Sequence, residues 1–596
     1  MGALRKVVGV ASVFCLVAVF AVSTAGEVRE NRLAFGTEDT IVSIRTRSIN
    51  DTLQKLTEMV TKVEPQAGAM MAGAPQMIFG QFQGVDLNGP AALLILDPKE
   101  HEDEAVVGVF TLAQAGQFQG PPDAESRAVG TLGLVADTDA ILDTMARMLA
   151  DKEIEVIPTR DMTDQIVVQG DIGWLLQRYK EDIESGLKEG REELEEADPD
   201  EVPDELKQIG LRALEHVGRL IEQVGAQAGL ADLGVSFSED LITSNLSMEA
   251  MPDSDFAEFL GKNNIPANKE LTRWLPEESI YTFIHSFDPQ SMSALYQGLV
   301  AGLGEIAGLP EAERDQIQVA LSNMYGQMTG RQAQAQVPTE KGLASISMIG
   351  TRDAGGARAA TRQFVALAKQ GTLAEVLDKY GVNIEWTEAH RTHEGIPIDK
   401  MELNIDAEKM ARALPFEEMD EEELAEFTEA VKKGLQGRDG TVTEIVYATS
   451  VMVTVDVSEG PEPMNKMIDL VRTSRGIGRN ADYQAALDKH PAESVALWHV
   501  SLYGVIGGVS RTINEMMDDD EDEMMMGPGA LLPARDELPD EEELITGSAR
   551  IEGNRIVATN HIPVQPVAAL LKVMQEKMQA MMMQQFEQQP MPPMGP

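Results

Sequence analysis

The side chains best able to do chemistry stand in three short stretches. The first is AHRTHEG, with His390 and His393, the one close histidine pair in a chain of 8 histidines. Two imidazoles three residues apart on a helix could ligate zinc. The order is not His-Glu-x-x-His, however, and the stretch reads as a strand entering a turn at Glu394-Gly395. Residues three apart on a strand point to opposite faces, so the expectation is an exposed hairpin without a metal. The second stretch is MMDDDEDEMMM, Met516 to Met526. Its carboxylates, Asp518, Asp519, Asp520, Glu521, Asp522 and Glu523, suit calcium, and methionine thioethers suit copper(I). No Asp-x-Asp-x-Asp-Gly pattern shapes a cage, and an unbroken run of like charge reads as a solvated loop. These six residues are therefore weak candidates only, for loose divalent-cation association. The third set is His285 and His499, which fall in apolar strand patterns and read as core or edge residues.

Enzyme signatures are absent from the rest of the sequence. It holds no Gly-x-Ser-x-Gly elbow and no Walker loop, and the glycines from Gly302 to Gly308 fall inside a helical pattern. No catalytic or cofactor-binding residue is assigned, no cofactor is expected, and the enzyme reading is the less favoured one.

The elements that would have to position such groups begin after an export signal. Arg5 and Lys6 precede an apolar run, Val7 to Val22, and Ser23-Thr24-Ala25 supplies the small residues of a cleavage site. Residues 1–25 read as a signal peptide cut after Ala25, with an uncleaved anchor as the alternative. The run is short for a membrane span, so no stable span is expected after cleavage. The single cysteine, Cys15, leaves with this segment, which excludes disulfides and thiolate chemistry. About 570 residues remain, enough for several packed units.

The chain has 98 acidic against 49 basic residues, and losing Arg5 and Lys6 takes the formal net charge from −49 to about −51. Binding nucleic acid or an anionic lipid surface relies on lysine and arginine, so both are excluded as partners. The open alternatives are an unknown protein partner or a hydrophobic ligand.

An internal repeat organises the remainder of the chain. Pro276-Glu277-Glu278-Ser279-Ile280 is echoed by Pro491-Ala492-Glu493-Ser494-Val495, and each copy leads into an apolar strand. A third such strand, Ile166 to Val168, reaches Asp171, which aligns with Asp288 at a strand-to-helix junction suited to an N-cap. Met292, Leu295, Leu299 and Leu303 share one face of the helix after Asp288. Val235 to Met248 and Ala549 to Ile562 read as equivalent hairpins, with Ile242 matching Ile556. Pro252 and Pro566 then open amphipathic helices, in which Phe256 and Leu260 match Leu570 and Met574.

Further strands are expected at Ile41 to Arg45, Ala92 to Leu96, Val106 to Thr111, Val382 to Thr387, Pro397 to Asn404 and within Val442 to Val457. Helices are expected near Asn50 to Val63, Asp137 to Leu149 and Ala359 to Leu377, and a solvated acidic helix across 181–205. Leu424, Phe427, Val431 and Leu435 form a core-facing stripe. Met574, Met578 and Met581 continue an apolar stripe that packs on a sheet or partner, and Met70 to Phe82 reads as an apolar cover over a sheet. The acidic methionine-rich loop, about 516–542, and the tail, 584–596, read as disordered.

The stretch Ile477 to Leu502 (IGRNADYQAALDKHPAESVALWHVSL) resembles a pattern in uncharacterised exported bacterial repeat proteins of the domain-of-unknown-function kind, common in planctomycete-type bacteria. Tyr483, Ala486 and Leu487 supply its first part, and Pro491, Glu493 and Val495 its second. The aspartate usual after the strand is missing here, where Ser501 and Tyr503 stand. Gly84 to Leu96 (GVDLNGPAALLIL) looks like the opening of similar proteins. The resemblance implies an exported repeat fold and no activity.

The sequence therefore reads as an α+β protein of repeated antiparallel sheet units, each covered on one face by helices. The halves are 26–262 and 263–583, in an exported chain of the periplasm or exterior. A non-catalytic binding or structural role is expected. A carrier of a hydrophobic small molecule or lipid, held between sheet and helices, is the alternative, and a hydrolase with an unrecognised acidic site the weaker one.

Overall fold

The computed structural model describes residues 39–73, 79–101, 106–150, 163–196, 204–339, 342–413, 440–448, 450–457, 460–517, 532–539 and 542–588, with 425, 428 and 429. The expected signal peptide, the stripe from Leu424 to Leu435 and the acidic residues Asp518 to Glu523 lie outside them.

The chain begins with β1 (Thr40–Thr46), α1 (Ile49–Val63), α2 (Pro65–Met71), β2 (Ala91–Leu96), β3 (Val106–Thr111), β4 (Glu125–Val129), β5 (Leu132–Ala136) and α3 (Asp139–Ala150). It continues through β6 (Ile166–Asp171), α4 (Ile172–Arg178), α5 (Lys180–Glu196), α6 (Asp204–Gln227), β7 (Ala228–Phe237), β8 (Leu241–Ala250) and α7 (Asp255–Lys262). Then come β9 (Tyr281–Ser286), α8 (Pro289–Ile306), α9 (Glu311–Gly326), β10 (Met328–Thr339), β11 (Gly342–Thr351), α10 (Ala354–Leu367) and α11 (Gly371–Lys379). Two hairpins with their helices come next: β12 (Val382–His393), β13 (Ile396–Ile405), α12 (Ala407–Ala413), β14 (Gly440–Ala448), β15 (Val451–Asp456) and α13 (Glu462–Thr473). The last elements are α14 (Ala481–Asp488), β16 (Ala496–Val500), α15 (Leu502–Met517), β17 (Ile545–Glu552), β18 (Arg555–Pro563) and α16 (Val564–Gln588).

Among the described residues 18 strands join one antiparallel ladder, in the order β4-β5-β3-β2-β1-β6-β7-β8-β18-β17-β16-β9-β10-β11-β15-β14-β13-β12. Four strands, β1, β6, β9 and β16, lead into a helix and then pair with the first strand of the next hairpin. Two of these leading strands, β9 and β16, also pair with each other, with Phe283 opposite Trp498. The hairpins β7-β8 and β17-β18 meet along β8 and β18, with Asn245 opposite Thr559. That seam carries the sheet from one half of the sequence to the other.

The strand-to-helix junctions form because each offers an oxygen to a free helical N–H. Asp171 accepts from Trp174 N–H at 3.0 Å and Asp288 from Ser291 N–H at 2.8 Å, as their alignment predicts. Where the aspartate is missing, Ser501 Oγ accepts from Gly504 N–H at 2.8 Å. Glu542 then accepts from the Ser501 hydroxyl at 2.6 Å and from Tyr503 N–H at 2.9 Å.

Helices cover both faces of the sheet, which corrects the expectation of cover on one face. On the first face, α3 buries Leu142 and Met145 against Leu94, Val107 and Leu134, while α13 and α14 bury Met464, Met467, Tyr483 and Leu487 against Ile284, Ala335 and Val455. On the second face, α7 buries Phe256 and Leu260 against Ala496, Ala549 and Ile551, and α8 and α9 bring Met292, Met324 and Tyr325 to Phe287, Ile445 and Met452. Strands such as β15 bury apolar residues on both sides, Val453 on the first face and Met452 on the second, so one covered face would leave the other wet.

Several local expectations need correction. The helix expected over Ala359 to Leu377 is two, because the chain breaks at Gly371, whose φ of 62° is left-handed. Pro252 stands before α7, whose N-cap is Ser254, and Pro566 sits inside the first turn of α16. Along α8, Leu295 is buried but Leu303 is 63% exposed, so those leucines do not share one buried face. On α16, Leu571 and Met578 stand exposed, so the stripe is only partly packed. Residues 532–539 of the expected acidic loop are folded, with Leu538 buried and Arg535 over the Tyr503 ring. Residues 584–588 of the expected tail continue α16.

Candidate functional site

The histidine pair expected on an exposed hairpin is embedded in a salt-bridge network. β12 carries a bulge opposite Asp399, with Ala389 at φ 46° donating its N–H to Asp399 Oδ1 at 2.8 Å. A bulge turns consecutive side chains to one side. His390 and Arg391 accordingly reach the same carboxylate: His390 Nε2 lies 2.7 Å and Arg391 Nε 2.5 Å from Glu444 Oε1. Arg391 also donates to Asn465 at 2.6 Å, and His393 reaches Asp469 at 3.3 Å, both on α13. His390 thus reaches Glu444 on β14 and His393 reaches Asp469 on α13, both on the side of the sheet to which Arg391 points, against the expectation of opposite faces. The turn itself is as expected, with Glu394 at φ 50° and Gly395 at φ 79°. On the other side of the sheet, Asp399, 1% exposed, is clamped by Arg358, whose Nε lies 2.6 Å from Oδ2. Both carboxylates are fully engaged, and this chemistry holds β12, β13, β14, α10 and α13 together.

His285 and His499 lie in interior strands. His285 stacks between Phe283 and Phe287, with ring centroids 4.9 and 5.5 Å away. His499, 1% exposed, accepts the Thr282 hydroxyl at Nδ1 over 2.5 Å, and Thr282 lies 2.9 Å from the Tyr483 hydroxyl. Burial holds both imidazoles down to about 4. They are neutral at pH 7. Thr282 has no exposed surface, so its closeness to an imidazole offers no nucleophile to a substrate.

An open cleft of about 1040 Å³ lies beside this trio, lined by Glu278, Tyr483, Lys489, His499, Gly507 and Arg535 among others. Several of its charged groups have partners: Lys466 holds Glu278, Glu543 holds Lys489, and Arg535 donates to the Pro539 carbonyl at 2.9 Å. Among the described residues no group of three His, Cys, Asp or Glu is placed to hold a metal, and no helix is long and apolar enough to cross a membrane.

What the sequence reading missed is a surface. On the second face, one straight row crosses the ladder through paired residues: Leu93, Ile44, Val168, Leu233, Leu246 and Ala558. Leu93 and Leu233 are 40% exposed and Leu246 54%, with Ile44 and Val168 half-buried. Ile95, Val42, Ala231, Met248 and Ile556 flank it in a second apolar row. At one end Phe82 lies against Phe110 of β3, with centroids 5.1 Å apart, so this part of the Met70 to Phe82 segment does cover the sheet. At the other end α7 closes over Ala558 and Ala549. The open stretch from β2 to β8 spans about 19 Å at the usual strand spacing.

No known family model, no curated protein and no solved structure matches the chain.

Proposed function

We propose that the chain is an exported, non-catalytic binding protein of the bacterial envelope or exterior, and that the open apolar row is its contact surface. The observation that carries this reading is the row itself. Leu233 and Leu246 stand side by side in solvent, and half-buried Val168 and Ile44 continue the row to exposed Leu93; contiguous exposed apolar surface marks an interaction site. The row lies within the sheet, away from the edge strands β4 and β12, so its occupant engages side chains and adds no strand. The occupant is a protein segment that pairs apolar residues with a basic rim. A formal charge of −49 disfavours anionic lipid and attracts cationic partners. Export rests on the N-terminal sequence.

The chain is further proposed to have grown by repetition of a strand–helix–hairpin unit. Phe283 and Trp498 are equivalent in the sequence alignment of β9 with β16, and they pair with each other. The same holds for Asn245 and Thr559 in β8 and β18. Equivalent strands that pair about equivalent residues support a local two-fold relation, as in a dimer interface.

The test is a synthetic Lys/Leu amphipathic peptide and its Glu/Leu counterpart, titrated against the mature protein and its Leu233→Asp/Leu246→Asp variant. The Lys/Leu peptide is expected to bind the wild type, weaken with salt, and lose at least about tenfold in affinity to the variant. The variant's melting temperature is expected to stay within a few degrees, because both leucines are already exposed. Equal affinity for both proteins, or preference for the Glu/Leu peptide, overturns the assignment.

A further inference from the structure

A second row crosses the first face, and it is polar: Thr243, His561, Thr546, His499 and Thr282 succeed one another across β8, β18, β17, β16 and β9. Two residues from α14 and the turn after it sit on the two histidines of this row. Tyr483 meets His499 edge-on at 4.7 Å, and the His490 ring lies 5.2 Å from the His561 ring. His490 is 6% exposed, and its Nε2 has no hydrogen-bond partner. His561 Nδ1 has only a long contact, 3.4 Å, with the Thr243 hydroxyl.

The charged side chains that act on the two rings are lysines. Lys269, from the segment before β9, and Lys489, at the end of α14, act on His490, and Lys489 also acts on His561. The carboxylates nearby are committed to these lysines: Asp488 to Lys269 at 2.9 Å and Glu543 to Lys489 at 3.3 Å. In a chain with two acidic residues for every basic one, two imidazoles faced by lysines run against the composition. Such a pair is stable only while both rings are neutral.

We propose that α14 is an acid-released cover, held on the histidine row at neutral pH and freed when His490 and His561 take up protons. Burial, then His561 and the two lysines, hold His490 down to about 4 while α14 is seated. Protonation therefore couples to opening, because a freed imidazole regains its ordinary affinity for a proton. The consequence is access. Tyr483, Ala485, Ala486 and Lys489 form one wall of the 1040 Å³ cleft, and lifting α14 widens it toward His499. The device acts on the opposite side of the sheet from the apolar row and does not depend on it.

The experiment is amide hydrogen exchange on the full mature chain at pH 7.0 and 5.0, corrected for intrinsic rates. Protection at residues 481–490 is expected to fall about tenfold or more at pH 5.0 in the wild type, while β2, β3 and β5 keep theirs. In His490→Gln/His561→Gln the pH-dependent loss is expected to shrink severalfold, the remainder coming from His499 beneath Tyr483. If that variant misfolds, Lys489→Gln serves, and its opening is expected to shift to lower pH. Unchanged protection at pH 5.0, equal loss in the variants, or loss spread evenly over β2, β3 and β5 overturns the proposal.

Discussion

Replacing Arg358 by methionine is expected to cost about 3–5 kcal/mol of stability, seen as a lowered urea midpoint at pH 7. Asp399 is 1% exposed, and Arg358 supplies both of its charged hydrogen bonds. Without the guanidinium, only the Ala389 N–H remains to it, at 2.8 Å. A buried carboxylate with a single neutral donor either stays charged at high cost or takes a proton. Adding Asp399→Asn to Arg358→Met is expected to recover more than half of the loss, since an amide leaves no charge unpaired. A double variant no better than the single one would show that Arg358 acts through packing.

Acid destabilisation through His499 is the second large effect. In the unfolded chain this imidazole titrates near 6.5, while burial holds it at about 4 in the fold. Between those values the unfolded state binds a proton that the folded state refuses. Stability is therefore full above pH 6.5, falls as pH drops through the window, and levels off near 4. The loss from this one group is on the order of 3 kcal/mol, with a slope of about 1.4 kcal/mol per pH unit. His499→Gln, which keeps an acceptor for Thr282, is expected to lower the slope of stability against pH by about that amount between 6.5 and 4.5. Identical slopes for the two proteins would place the acid sensitivity elsewhere. His285, also held at about 4 by burial alone, adds to the wild-type slope and remains in the variant.

Local structure was legible in the sequence where it depends on neighbours a few residues away. The hairpins β7-β8 and β17-β18 came from alternation and turn residues, and the caps at Asp171 and Asp288 from a strand-to-helix alignment. The Glu394-Gly395 turn was also legible, because glycine accepts the backbone angles that such a turn requires. Pairing between distant strands was not legible. Nothing local to β1 says that it lies between β2 and β6, or that β8 meets β18.

The candidate surface depends on that pairing. Leu93 and Leu246 fall in expected strands and Leu233 just before one, and only the pairing register shows that the three lie in one uncovered row. The bulge at Ala389 was hidden for a related reason. Two extra residues in β12, opposite Asp399, leave the alternation in phase on both sides and turn only the residues between, so His390 and Arg391 come to share Glu444 unannounced.

Native mass spectrometry tests the binding-surface reading most directly, on the mature protein purified gently from its own cells beside Leu233→Asp/Leu246→Asp prepared in the same way. The prediction is a stoichiometric, salt-sensitive protein partner on the wild type and its loss from a variant that melts at the same temperature. A bare wild-type chain, a partner retained equally by the variant, or a stoichiometric lipid recovered by organic extraction would contradict it.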